Sequence, residues 1–401
     1  MIEIEEALRL VAEECATLES VTVNLEQASG HVLAEDLTSD VDSPPFDKSM
    51  MDGFAVRAAD VDSPPVKLEI VARVLAGASF EGEVDQGKAA QIMTGAPIPA
   101  GADSVVMVEQ TEEADQQVTI NADVRKGQNV LPKAAAMRNG QSVMDAGTFI
   151  RGEDVGLLAE AGNAECTAIR RPSLAVIATG DELIDAALKP AGSQIRNSNG
   201  PMLAALAGPY CQEVINLGIG PDDPKLLSEK IQKGLNSDVL VLSGGVSAGV
   251  ADLVPGLLQE AGVQQIFHKV RIKPGKPIWF GLKRHDNGRR TLVFGLPGNP
   301  VSSMVCFRVF VAPALLRLAG RDSQDESYRG RLATDHSHRP GRTTYWPSRC
   351  ERTDDGLAVT PLNWKGSSDL RTLAEANCFA VFDGDSESFA AGHAVQVYMM
   401  R

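Results

Sequence analysis

Basic side chains are scarce in this sequence: 38 lysines and arginines stand against 53 aspartates and glutamates, a formal net charge of −15 over 401 residues. So negative a chain argues against nucleic acid or an anionic membrane as the main partner. An anionic small ligand stays compatible, because a local cluster of cations can oppose the global sign. Cysteine is sparse and unpatterned. Cys15, Cys166, Cys211, Cys306, Cys350 and Cys378 show no C-x-x-C spacing, which argues against a zinc site or a disulfide framework and fits a reducing compartment. Long apolar runs are missing too: the longest weakly charged stretch, residues 292–316, is broken by Pro297, Pro300, Arg308 and Pro313. The opening residues Met1-Ile2-Glu3-Ile4-Glu5-Glu6 are acidic where a secretory signal would be basic. Cytoplasm, with no membrane partner, is the expected location.

What is present is apolar content of 43% and a length beyond what one hydrophobic core serves, so two to four domains are expected. Ile4, Leu8, Val11, Cys15 and Leu18 recur at helical spacing and predict an opening helix over residues 4–18. Proline pairs at 44–45 and 64–65 and short β-rich runs between 68 and 109 predict a small β-containing domain. The glycine-punctuated stretch 130–171 reads as a return towards the opening helix. From 172 to 320, strand-like runs alternate with helical patterns such as the one opened by Asp223-Pro224, which predicts a doubly wound α/β domain with parallel strands. After 321 the runs are short and β-type, as in a small barrel or sandwich.

Three glycine-rich turns follow apolar runs inside the α/β segment: Thr179-Gly180-Asp181-Glu182, Ser243-Gly244-Gly245-Val246-Ser247 and Leu296-Pro297-Gly298-Asn299-Pro300. In open α/β sheets ligands bind beyond the carboxyl ends of strands, so these turns mark one crevice. Asp181 and Glu182 suit Mg²⁺, or Asp181 caps the following segment. The second turn offers backbone amides and hydroxyls of the kind that cradle phosphate, or is a plain tight turn. Asp252 could hold a metal or cap a helix. Lys269, Arg271, Lys273 and Lys276 concentrate positive charge in an acidic protein. On an extended segment the first three share a face, which suits a phosphate or serves a solvated edge strand. Around Asp52, the segment Phe46-Asp47-Lys48-Ser49-Met50-Met51-Asp52-Gly53-Phe54 suggests an acid held in a constrained turn.

In order, SMMDGFA, IMTGAPIPAGAD, ATGDEL, IRNSNGPML, SGGVSAGVAD, KVRIKPGKP and FGLPGNPVSS resemble the molybdopterin molybdenumtransferase family over essentially the whole chain. The resemblance implies an α/β and β multidomain fold. Its parts are an elongated N-terminal domain from 1–44 and 136–171, an inserted β-rich domain at 45–135, a molybdopterin-binding α/β domain at 172–320 and a C-terminal β-barrel at 321–401. It implies a homodimer, with the active site between the α/β domain of one subunit and the inserted domain of the other. The implied reaction takes adenylylated molybdopterin and molybdate, hydrolyses the pyrophosphate-type bond with Mg²⁺, and releases molybdenum cofactor and AMP. A molybdopterin adenylyltransferase would supply the substrate, and molybdoenzymes would receive the product.

By the same resemblance Asp52, Asp181, Glu182 and Asp252 are acidic catalytic or metal positions, and Asp222 is a further acid for which a helix-cap role is the competing reading. Lys269, Lys273 and Lys276 meet phosphate or molybdate charge, and Thr94 supports the site from the inserted domain. Thr179, Gly180, Ser243, Gly244, Gly245, Ser247, Pro297, Gly298, Asn299 and Pro300 line the pterin and nucleotide pocket. One position departs from the family pattern: Ala136 stands where a carboxylate is expected, and Asp154 lies one segment too late to replace it. Two alternatives follow, an adenylyltransferase acting on the pterin, and a catalytically altered paralogue acting as a binding scaffold.

Overall fold

The computed structural model describes residues 1–246, 253–322 and 327–400. The chain forms two compact units, one made of Met1–Val21 and Ile169–Arg401, the other of Thr22–Ala168.

In the second unit the outgoing and returning chain segments pair with each other. Leu37–Thr38 pairs with Ser142–Met144, and Lys48–Ser49 with Val130–Leu131. The return first runs along residues 37–49, because backbone groups leaving the inserted sheet find their nearest partners on the strand that entered it, and ends with Glu165–Ile169 beside Ser20–Asn24, the strand that follows the opening helix in sequence. Between them lies a six-stranded sheet in the order Ser104–Met107, Gly53–Val56, Lys88–Ile92, Val66–Val74, Gln117–Ile120, Thr111–Ala114. Phe54, Val56 and Val106 pack on one face, Ala55 and Val105 on the other. With both faces covered, these strands read as unbroken apolar runs.

The first unit is built on a second six-stranded sheet, in the order Glu213–Gly220, Ser173–Thr179, Val239–Ser243, Arg290–Leu296, Trp279–Arg284, Val263–His268. The first four strands are parallel. Trp279–Arg284 runs antiparallel to both its neighbours, which the expectation of parallel strands missed. Only five residues join it to Arg290–Leu296, too few for a crossover and enough for a hairpin. Side chains alternate along Ser173–Thr179. Leu174 and Val176 face a core shared with Leu203 and the helix Pro300–Leu318, while Ala175 and Ile177 face Leu227, Ile231 and Leu258. Helices thus cover both faces.

The opening helix spans Ile4–Glu14 and buries Ile4, Ala7 and Val11 in the first of these cores. It ends sooner than the apolar period predicts: Cys15 is already extended, and the Leu18 amide donates to the Leu318 carbonyl (2.9 Å). Pro300 and Pro313 do not break the core helix Pro300–Leu318, most of whose residues are buried. Pro300 sits at a helix start, and the chain widens into a π turn at Phe307–Val311 just ahead of Pro313, whose ring cannot donate a hydrogen bond. The C-terminal strands Thr343–Thr353, Gly356–Pro361, Ser327–Leu332, Ala394–Met399 and Cys378–Phe382 close on themselves, since the last also pairs with the first. This barrel encloses Leu332, Val359, Cys378, Phe382 and Val397.

Candidate functional site

The crevice lies where the sheet order reverses. Ser173–Thr179 has as neighbours the next strand of this sheet, Glu213–Gly220, on one side and Val239–Ser243 on the other, and the two crossovers leave in opposite directions. Helix dipoles and free amides converge at such a point. At the N-terminal ends of the two strands Asp238 fixes their register. Its carboxylate takes two hydrogen bonds from Arg170 (2.8 and 2.9 Å) and two from the Ser173 amide and hydroxyl (both 2.8 Å). Burial pushes this carboxyl up, but Arg170 and Ser173 outweigh it and hold it below the ordinary range.

At the carboxyl ends the three glycine turns meet. The Gly244 amide donates to the Leu296 carbonyl (3.0 Å), and the Gly180 amide to the Gly220 carbonyl (3.2 Å). Gly244 has φ +99°, and a Cβ there would lie 2.5 Å from the Thr179 carbonyl oxygen; Gly245 has φ +64°. Only glycine permits this approach. Ser243 is buried, and its hydroxyl accepts from Asn199 Nδ2 (2.8 Å) and faces Ser303 Oγ at 3.3 Å. It fastens the crevice walls together. Asn199 also donates to the Gly298 carbonyl (2.7 Å). That residue was visible in the IRNSNGPML string, but nothing in local sequence distinguishes a tie between strands from an ordinary helix start.

The resulting cavity, about 480 Å³, is lined by Thr179, Gly180, Glu182, Asp222, Ser243, Gly244, Gly245, Gly298, Asn299 and Pro300, with Ser368 and Leu370 from the C-terminal part. Two carboxylates, those of Glu182 and Asp222, border it. Asp181 does not: its Oδ1 accepts from the Asp222 amide (2.9 Å) and latches the two loops. The helix cap at this point is Asp223, which accepts from the Leu226 amide (2.8 Å), so capping does not claim Asp222. Ser247 and Asp252 lie outside the described residues. Among the described residues no group of three or more His, Cys, Asp or Glu side chains could hold a metal by themselves.

A second cavity of about 570 Å³ shares Gly298 and Asn299 with the first and is lined by Lys273, Lys276, Pro297, Ser302, Arg342, Trp364 and Lys365. The expected common face of Lys269, Arg271 and Lys273 is not formed. Lys269 takes φ +71°, which turns the chain, and Arg271 pairs with Glu3 (3.2 Å). Lys269 does not line the cavity; Lys276, five residues from Arg271, does. Burial first, then the charges of Arg342 and Arg339, hold the Lys273 ammonium below the ordinary lysine range. Arg342 and Lys365 escaped sequence reasoning because each lies far along the chain from the Lys273–Lys276 segment, with nothing local to link them to it.

In the other unit, Asp52 and Thr94 form a pair of their own. Asp52 Oδ1 accepts from the Thr94 amide (2.7 Å) and hydroxyl (2.8 Å), which lowers the carboxyl below its ordinary range. The expected constrained turn is present: the Val108 amide donates to the Asp52 carbonyl (3.0 Å), and a Cβ on Gly53 would lie 1.8 Å from the Val106 oxygen. Ala136 only donates its amide to the Ser43 carbonyl (2.9 Å). Asp154 accepts from the Arg151 amide (2.8 Å) and caps the helix Gly152–Glu160, a structural duty.

Three family models match in tandem: the MoeA N-terminal region (domain I and II) over residues 2–162, a probable molybdopterin binding domain over 175–317, and the MoeA C-terminal region (domain IV) over 329–400. The molybdopterin molybdenumtransferase of Staphylococcus aureus (strain MRSA252) is 33% identical over 99% of this chain and 95% of its own. The chain belongs to the MoeA family of molybdopterin molybdenumtransferases. A Staphylococcus epidermidis member of the same name is 31% identical over the same shares. The crystal structure of a MoeA molybdopterin biosynthesis protein from Pyrococcus horikoshii superposes with a TM-score of 0.82 at 30% identity, covering 100% of this chain and 99% of that one. Because the matches extend on both sides of the molybdopterin-binding domain, the MoeA assignment displaces the adenylyltransferase alternative.

Proposed function

We propose that this MoeA-family enzyme inserts molybdate into adenylylated molybdopterin, releasing AMP and molybdenum cofactor. One observation carries the reading: a cavity bordered by two carboxylates and a single cation, Arg196, joins a cavity bordered by cations alone through a common wall, Gly298-Asn299. Thr179, the glycine turns and Asn199 shape a compartment for the adenylylated pterin, and Lys273, Lys276 and Arg342 supply counter-charge for the oxyanion substrate. Glu182 and Asp222 are a hard oxygen pair that fits Mg²⁺, an ion that takes one or two carboxylates and shares the remainder with phosphate and water. Bound there, Mg²⁺ would draw negative charge from the phosphate oxygens. The protein's own carboxylates orient the attacking water, and the preorganised turns exclude bulk solvent from the bond that breaks.

The remaining expectations extend the reading. The protein acts as a homodimer, in the cytoplasm, with the Asp52-Thr94 pair of one copy completing the site of the other. It takes its substrate from a molybdopterin adenylyltransferase and passes its product to molybdoenzymes. The chain divides into four domains, 1–44 with 136–171, the inserted sheet at 45–135, the molybdopterin-binding part at 172–320 and the barrel at 321–401. The test is AMP release from adenylylated molybdopterin with Mg²⁺ and molybdate: release depends on molybdate, and Asp52→Ala and Glu182→Ala each abolish it while far-ultraviolet dichroism stays native. Full turnover in both variants refutes the assignment.

A further inference from the structure

The cation-lined cavity holds more positive charge than the three residues above. All four ionisable side chains that border it are cations, Lys273, Lys276, Arg342 and Lys365, and no carboxylate borders it. In a chain of net charge −15 this is a strong local reversal. Among the described residues none of the four makes an ion pair with a protein carboxylate, whereas Lys88 and Lys133 do. Like charges held together this way repel, and an entering anion relieves that repulsion in proportion to its own charge.

Lys365 differs from the others in origin. It stands on the loop between the barrel strand Gly356–Pro361 and the helix Leu370–Glu375. That loop is tethered at three points: the Lys365 amide donates to Asp369 Oδ2 (3.1 Å), the Asp369 amide to the Gly366 carbonyl (3.0 Å), and the Val301 amide to the Ser367 carbonyl (3.0 Å). The backbone is held, while the exposed ammonium makes no hydrogen bond or ion pair among the described residues and only favours the nearby Asp369 carboxylate through space. Its stem can therefore extend over an anion held by the Lys273–Lys276 segment without breaking a hydrogen bond.

We propose that Lys365 is a specificity-determining residue, the cation that makes this cavity prefer a doubly charged tetrahedral oxyanion to a singly charged one of the same shape. The inference rests on the oxyanion reading of the cavity. Molybdate and perrhenate are the discriminating pair, since both are tetrahedral oxyanions and they differ by one unit of charge. Tungstate, with molybdate's charge and shape, is not told apart by this device.

Calorimetric titration of the full chain with sodium molybdate and sodium perrhenate tests it. Coulomb energy is linear in ligand charge, so Lys365→Gln should weaken molybdate about tenfold and perrhenate only about threefold, and Lys365→Arg should restore both. Lys276→Gln, also exposed, tests the underlying reading. If Lys276→Gln weakens molybdate and Lys365→Gln leaves it within twofold, the inference about Lys365 is wrong and the oxyanion cavity stands. Equal losses for the two anions in Lys365→Gln also overturn it, because the effect would then be one of shape. If the wild-type chain binds neither anion, both the cavity reading and the inference fall.

Discussion

His336 lies against Phe382 (ring centroids 4.3 Å) and Trp346 (4.5 Å), with its Nε2 buried and unpartnered. Burial, aided by the nearby His338, pulls its pKa down to about 4. A histidine whose folded pKa lies below its unfolded value stabilises the fold when neutral. That contribution is complete above about pH 6.5 and is lost as pH falls towards 4. Allowing for partial exposure, about 1–2 kcal/mol should disappear between pH 7 and pH 4.5. His336→Phe keeps the ring stacking and removes the titration, so its melting temperature should fall less over that interval; an identical fall in both proteins contradicts the account. The same scale explains why some site residues were legible and others not. Glycine is required wherever Cβ would strike a neighbouring strand, as at Gly53 and Gly244, and the chain displays those glycines openly. An arginine such as Arg342 carries no comparable local mark of the cavity it borders.

Among the elements, the paired strands Ser173–Thr179 and Val239–Ser243 carry the crevice, and Asp238 secures them at the far end. Replacing Asp238 by Asn leaves Arg170 with only Glu19 (2.6 Å) as an anionic partner in a largely buried place. Removing one partner of such a pair costs about 3 kcal/mol or more. Asp238→Asn should therefore lower the denaturant midpoint of this unit substantially, measured by tryptophan fluorescence with Trp279 in the same sheet; a change under about 1 kcal/mol would show the pair to be energetically neutral. Element boundaries were harder to anticipate than element types. The opening helix stops at Glu14 although its apolar spacing continues, because the following residues find extended partners at Leu318. The antiparallel strand Trp279–Arg284 was missed for a related reason: a buried strand looks equally apolar in either direction, and only the short link to Arg290 decides.

For the whole molecule, the proposed dimer makes a prediction that no single-chain defect can imitate. If Asp52 of one copy completes the site containing Glu182 of the other, mixing Asp52→Ala and Glu182→Ala chains and allowing exchange should restore about a quarter of wild-type AMP release, one intact site in every mixed dimer. No recovery after demonstrated exchange would place both acids in the same copy's site. By itself the sequence determined the family, the α/β centre, the closing barrel and the glycine turns, because each rests on local periodicity or on a backbone conformation that few residues tolerate. Only the tertiary structure decided which charges share a cavity. It set Asp181 to latching and Glu182 to the wall, moved Lys269 and Arg271 away from Lys273, and brought Arg342 and Lys365 beside Lys276 from segments far along the chain. The physical reason is range: turns and helix faces are settled by neighbours a few residues apart, whereas a cluster of like charges is assembled by folding and can be seen only once the chain has closed on itself.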